Sequence, residues 1–287
     1  METASDPRFR PGRVLGLVGL LYLARLTGAA LVALPIVSAV RATGIGHQPI
    51  GDAVLFAPGA SYLFETLRLA TPGLSAALPV SSVLLVIAIL LQLVPQGAVI
   101  HSLAAPGVSL AGAVQRSFAS FTRSLLLGGA GFLAQAATTV LWLFVAQGMR
   151  RAVGGEQRAE TGEFAFVSVA ALGALMVCVI GAWVDLARCH HARHLGSFLA
   201  CGRDALRSLW SHPVRCTSAV LLPTLGVLAL ALVTGFAVGA LQVERGDPWR
   251  WLATLALHQV VILVACLAEV YWLSWASRLV QAQQRDD

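Results

Sequence analysis

The sequence predicts an all-α, polytopic integral membrane protein that crosses the bilayer as six transmembrane helices. Three observations carry that expectation. The 287 residues are 57% hydrophobic and 12% charged, about half the charged fraction of an ordinary soluble domain. The mean hydropathy is +0.76. The apolar residues also fall into six runs that each meet the roughly 20 residues needed to cross the hydrocarbon core.

The runs are Val14–Val40, Leu78–Ile100, Ser124–Met149, Phe164–Val184, Cys216–Val243 and Trp251–Ser277. The first is interrupted only by Arg25 and the last only by Glu269. Backbone polar groups in lipid must pair within their own segment, so helices are expected. The alternation of a barrel strand is absent. The basic start at Arg8, Arg10 and Arg13 resembles a signal peptide, but the apolar run behind it is far too long for one. The chain therefore reads as a single six-span membrane domain with an uncleaved first span.

All of the 20 basic residues are arginine. With so much Ala, Gly and Pro, this reads as the codon bias of a GC-rich bacterial genome. The net charge of +6 does not point to nucleic acid, because the arginines flank apolar spans. Anionic lipid headgroups are the expected partner. Their distribution predicts orientation. With the N-terminus inside, Arg8, Arg10, Arg13, Arg116, Arg123, Arg188, Arg193, Arg203, Arg207, Arg215, Arg278 and Arg285 face the cytoplasm. Outside lie Arg41, Arg68, Arg150, Arg151, Arg158, Arg245 and Arg250. A basic excess inside sets topology, so both termini are expected in the cytoplasm, across a bacterial inner membrane. Trp249 and Trp251 mark the outer interface, and Trp183, Trp272 and Trp275 the inner one. The five cysteines form no CxxC pair. All fall in the membrane or on the reducing side, so no disulfide is expected.

The connections carry further patterns. In the first outer loop, residues 41–77, Tyr62, Leu63, Leu67, Asp52, Glu65 and Arg68 suggest a short amphipathic surface helix. The second outer loop, Arg150–Glu163, reads as a solvated turn, and the third, Glu244–Arg250, as a tight connection. Between Arg188 and Arg215, Leu195, Phe198, Leu199, Leu206 and Leu209 recur at helical spacing, with Arg203, Arg207 and Ser208 on another side. That predicts an interfacial helix. The string Arg116-Ser117-Phe118 followed by Arg123 echoes Arg207-Ser208-Leu209 followed by Arg215, about 91 residues on. Trp183-Val184-Asp185 echoes Trp272-Leu273-Ser274 at 89. Three helical hairpins joined by short amphipathic interfacial helices are the expected architecture.

Few residues suggest chemistry. Arg25 and Glu269 are charges at membrane depth, each costing about 2.5–3.5 kcal/mol on insertion scales, and such groups usually face the bundle interior. They read as a structural ion pair tying the first span to the last, or as a transport site. His258 and Gln259 are expected to hydrogen-bond between helices. On a helix His190 and His194 share a face, which makes them weak metal candidates. Two arginines flank them and no HExxH is present. Span four carries Ala170, Ala174, Cys178 and Ala182 at every fourth position, a stripe that lets helices approach closely. GxSxG, Walker A and paired CxxC motifs are absent.

The expected role is therefore a non-enzymatic structural, accessory or interaction component of the inner membrane. It would need no cofactor and would meet lipid, a protein partner or a second copy of itself. The alternative rests on one resemblance. Asp204-Ala205-Leu206, then Trp210, then Val220-x-Leu222-Pro223 resembles the cytoplasmic EAA loop of ABC-importer permeases, and Pro213 and Arg215 suit it. The resemblance covers about twenty residues. The family's central Gly is Trp210 here, and its second Ala is Leu206. It implies a transporter or permease subunit in which Asp204, Ala205, Arg207, Pro213, Arg215 and Pro223 form a loop that docks on an ATPase.

Overall fold

The computed structural model describes residues 11–42, 61–105, 107–153, 159–194, 196–240 and 248–286. Among them every regular element is an α-helix: α1 Pro11–Arg41, α2 Ser61–Ala104, α3 Leu110–Ala119, α4 Phe121–Val153, α5 Ala159–His194, α6 Phe198–Ser211, α7 Pro213–Ala240 and α8 Pro248–Asp286. Six of these are long and apolar enough to span a membrane, with windows of mean hydropathy from 1.5 in α4 to 2.5 in α2 and α5. Their outward side chains are large and greasy. Phe236 is 80% exposed, Phe144 74% and Leu133 68%. Contiguous surface of that kind aggregates in water, and hydrocarbon is the solvent that suits it. The chain is an all-α, multi-pass membrane protein.

The helices overrun the apolar segments that announce them. At 1.5 Å per residue α2 is about 66 Å long, twice the hydrocarbon thickness. Once nucleated, a helix continues through polar residues because each added turn gains a hydrogen bond at little further entropic cost. Two expectations change as a result. Tyr62, Leu63, Glu65, Leu67 and Arg68 form no separate surface helix: they lie in the first turns of α2, continuous with the second span; Asp52 lies outside the described residues. Likewise Arg188–His194, at the start of the connection read between Arg188 and Arg215, forms the last turns of α5. Of the third outer loop, Glu244–Asp247 lie outside the described residues, as does Leu195, and Pro248–Arg250 begin α8. Of the second, Arg150 at the end of α4 pairs with Glu163 at the start of α5.

The chain divides into two compact units, residues 1–96 with 224–270 and residues 97–223 with 271–287. In the first unit α1 and the early part of α2 form an antiparallel pair whose contacts use small residues. A Cβ on Gly28 would lie 3.3 Å from the Ala88 Cβ, and one on Gly73 would lie 3.3 Å from the Ala39 Cβ. Hydroxyls in these helices bond their own backbone: Thr27 donates to the Leu23 carbonyl and Ser82 to that of Leu78. That is the local solution where no water is at hand.

In the second unit α4 and α5 pack as an antiparallel hairpin. Gly131 sits under Val184 and Gly173 under the Trp142 ring, so tightly that a methyl at either would collide. Gln135 crosses the seam and donates to the Val177 carbonyl at 3.1 Å. The interfacial helix α6 lies on α5, with the Trp183 indole N–H donating to the Gly202 carbonyl at 2.9 Å.

Candidate functional site

Two polar sites stand out, one in each unit. In the first, Arg25 near the middle of α1 forms a salt bridge with Glu269 of α8. The same carboxylate accepts from the Gln96 amide of α2 at 3.0 Å, and the guanidinium also reaches the Cys266 sulfur at 3.5 Å. The glutamate side chain is 17% exposed and the arginine 35%. One turn earlier on α1, the Tyr22 hydroxyl donates to Gln259 Oε1 at 2.8 Å. Three helices thus share one polar clamp in which both charges find partners. The sequence singles out Arg25, Glu269 and Gln259 here. Gln96 and Tyr22 carry no signal as uncharged residues in apolar runs. His258 departs from expectation: among the described residues it makes no bond to another helix, and it pairs through Nδ1 with the Thr254 carbonyl one turn back, at 2.8 Å. Its position on the exposed side of α8 explains this.

The second site pins the interfacial helices. His190, 7% exposed, lies 3.1 Å through Nε2 from the Ser208 hydroxyl of α6, which is fully buried. The Ser208 hydroxyl lies 2.9 Å from the Asp204 carbonyl and 2.6 Å from Gln283 Oε1. Both of those oxygens are acceptors, so they claim the single hydroxyl proton, and His190 must donate through its Nε2–H. His101 at the end of α2 repeats the arrangement: it lies 3.1 Å from Ser120, whose hydroxyl donates to the Ser117 carbonyl.

The repeat extends to the caps. Ser109 begins α3 with φ −65° and ψ 158°, and Ser197 begins α6 with φ −64° and ψ 154°. Each side chain accepts from the backbone N–H three residues on. From cap to latch serine is eleven residues in both, so the true offset is 88: Ser109 to Ser197 and Ser120 to Ser208. The offset of 91 that aligns Ser117 with Ser208 is wrong by nearly one turn. Ser117 is buried against Gly97 instead.

This geometry corrects one further expectation. Ser208 faces inward with Cys201 and Ala205, while Leu199, Leu206 and Trp210 are exposed alongside Arg203 and Arg207. Close packing on α5 selects small residues, so the large apolar side chains turn to lipid. His190 is a hydrogen-bond donor to Ser208; the side chain of His194 lies outside the described residues. Among the described residues no three His, Cys, Asp or Glu side chains gather as a metal set.

Around the latch, Asp185 accepts from the Trp272 indole at 2.9 Å and lies 3.7 Å from Arg188. Arg193 donates to Ser277 at 3.3 Å. Trp272 stacks on Trp275 with centroids 5.6 Å apart. On α6, burial pushes the Cys201 thiol above its ordinary range; Asp204 adds to that and Arg123 opposes it. Of the residues in the EAA-like segment, Ala205 is fully buried in α6, and Asp204 lies 3.7 Å from its neighbour Arg203. Arg207, Pro213 and Arg215 are exposed. Pro223 lies inside α7.

No protein-family model, curated protein or solved structure matches this chain.

Proposed function

We propose that this chain is a non-enzymatic accessory component of a bacterial inner membrane, working through contacts with lipid and a protein partner. Both termini and the interfacial helices α3 and α6 lie on the cytoplasmic side in this reading. The observation that supports it best is the two-sided character of α6. Its small-residue face is latched to α5, and its other face offers Leu206, Trp210, Arg203 and Arg207. Apolar side chains with arginines beside them suit a headgroup layer of anionic lipid and leave room for a partner helix.

The test is photocrosslinking from positions 203 and 210 in intact cells, with position 144 of α4 as a lipid-facing control. One discrete protein adduct specific to α6 supports an accessory role. Lipid adducts alone at all three positions remove the protein partner from the reading.

The permease reading keeps one supporting feature: α6 is separated from span α7 by His212 alone, a helix–break–span order like that of a coupling loop. Ala205, however, is buried against the protein's own helices and so unavailable for docking. An adduct with an ATPase subunit at position 207 or 215 would favour the permease over the accessory reading.

A further inference from the structure

Alongside the ion pair, the first unit holds an open groove of about 500 Å³ between α1 and α2, within the size range of small-molecule sites. It exists because small side chains line it: Gly28, Ala29 and Ala33 on α1 and Ala88 on α2. Its two ends differ. Arg25, Gln92 and Gln96 gather at one end, while Val32, Ile36 and Leu85 make the other wholly apolar. From Arg25 to Ile36 is eleven residues, or about 16 Å of helix. The shape is that of a single apolar chain with a polar head.

Gln92 decides what the head must be. Its amide makes no hydrogen bond to any described residue, and its nitrogen lies only 3.6 Å from where a Cβ on Gly28 would sit. An amide without a partner in hydrocarbon is costly. A hydrogen-bonding occupant would remove that cost. An ionised head is disfavoured, because Glu269 already neutralises Arg25 and the site lies in the span, away from the headgroups. Arg25 offers donors only, and the Gln92 amide offers donors and an acceptor. Carbonyl oxygens on the head satisfy both.

We propose that this groove binds a neutral, single-chain, lipid-soluble molecule with a carbonyl-bearing head, an isoprenoid quinone or a monoacylglycerol. The apolar chain lies along Ala29, Ala33 and Ile36, and the carbonyls meet Arg25 and Gln92. This inference is independent of the accessory role and holds or falls without it.

The test is equilibrium binding of decylubiquinone, monoolein and oleate to the purified full-length protein in nanodiscs, followed by native mass spectrometry and thermal shift. Saturable binding of the quinone or of monoolein at one site, with oleate much weaker, is expected, and the stronger of the two names the source. Ala33→Phe fills the groove, and Gln92→Leu removes the amide. Each should weaken binding at least tenfold, whereas Leu133→Phe on α4 should not. Gln92→Leu should leave the empty protein as stable as the parent or more so, which shows that the loss of binding is not a loss of fold. Binding of neither neutral probe, binding unmoved by both groove variants, or oleate binding as tightly as the neutral probes would each overturn the proposal.

Discussion

Replacing Glu269 by leucine leaves the Arg25 guanidinium at membrane depth with, among the described residues, only the Cys266 sulfur as a partner. A guanidinium cannot shed its charge; stranding it at mid-helix costs about 3 kcal/mol, and the Gln96 amide that loses its acceptor adds about 2, about 5 kcal/mol together. The reverse change, Arg25→Leu, is milder. The carboxylate keeps the Gln96 amide at 3.0 Å and can neutralise itself by taking up a proton, so about 2 kcal/mol is expected. If the two act only through each other, the double variant does not cost the sum. Two leucines pack against one another, and the remaining penalty is the Gln96 amide left without its acceptor, about 2 kcal/mol. The coupling is then about 5 kcal/mol, above the usual range for residues in one network and at the upper end for breaking a buried pair. The assay is a double-mutant cycle on unfolding in mixed micelles, with denaturant midpoints and slopes read for all four proteins. Additive costs would refute the reasoning. So would an Arg25→Leu variant less stable than Glu269→Leu, because the argument assigns the larger penalty to the stranded arginine.

Other outcomes follow from the packing. His190→Ala should release α6, raising hydrogen exchange across residues 198–211 by about tenfold for the roughly 1–2 kcal/mol of a lost buried bond; His101→Ala should do the same for residues 110–119 alone. Gly173→Ala drives a methyl into the Trp142 ring and should lower stability by about 1–3 kcal/mol, whereas Gly129→Ala, with open space around it, should be neutral or slightly stabilising by thermal melting. Cys201 is 3% exposed and burial raises its thiol pKa. Raising the pH through the usual thiol range should therefore not produce a reactive thiolate there. A water-soluble maleimide should label it only after unfolding; labelling of the folded protein at pH 8 would contradict its placement.

The spans were legible because lipid imposes one requirement, about twenty apolar residues in a row, that sequence displays directly. Their ends were not. Helices such as α2 and α5 run on through Tyr62–Arg68 and Asp185–His194, because backbone bonding carries a helix past its apolar stretch. Arg25 and Glu269 announce themselves by charge. Gln96, which bonds the same carboxylate, does not, since nothing local marks which glutamine meets a charge 173 residues away. The latch shows the same limit. Arg116-Ser117 and Arg207-Ser208 look alike on paper, yet the structural counterpart of Ser208 is Ser120. The caps at Ser109 and Ser197 set the register, and a polar face of three or four residues cannot. Ser208 reads as solvent-facing beside Arg207, but close packing on α5 favours small residues and turns Leu206 and Trp210 outward.

Six of the helices are long and apolar enough to cross a membrane; residue-by-residue accessibility most directly tests the proposed topology, in which α3, α6 and both termini are cytoplasmic. Single cysteines placed at 3, 115, 155, 203, 246 and 285 in a chain lacking its own cysteines would be labelled in intact cells with an impermeant maleimide. The account predicts labelling of 155 and 246 from outside and of 3, 115, 203 and 285 only after the membrane is opened. Labelling of 203 or 115 from outside, or of one terminus but not the other, would contradict it.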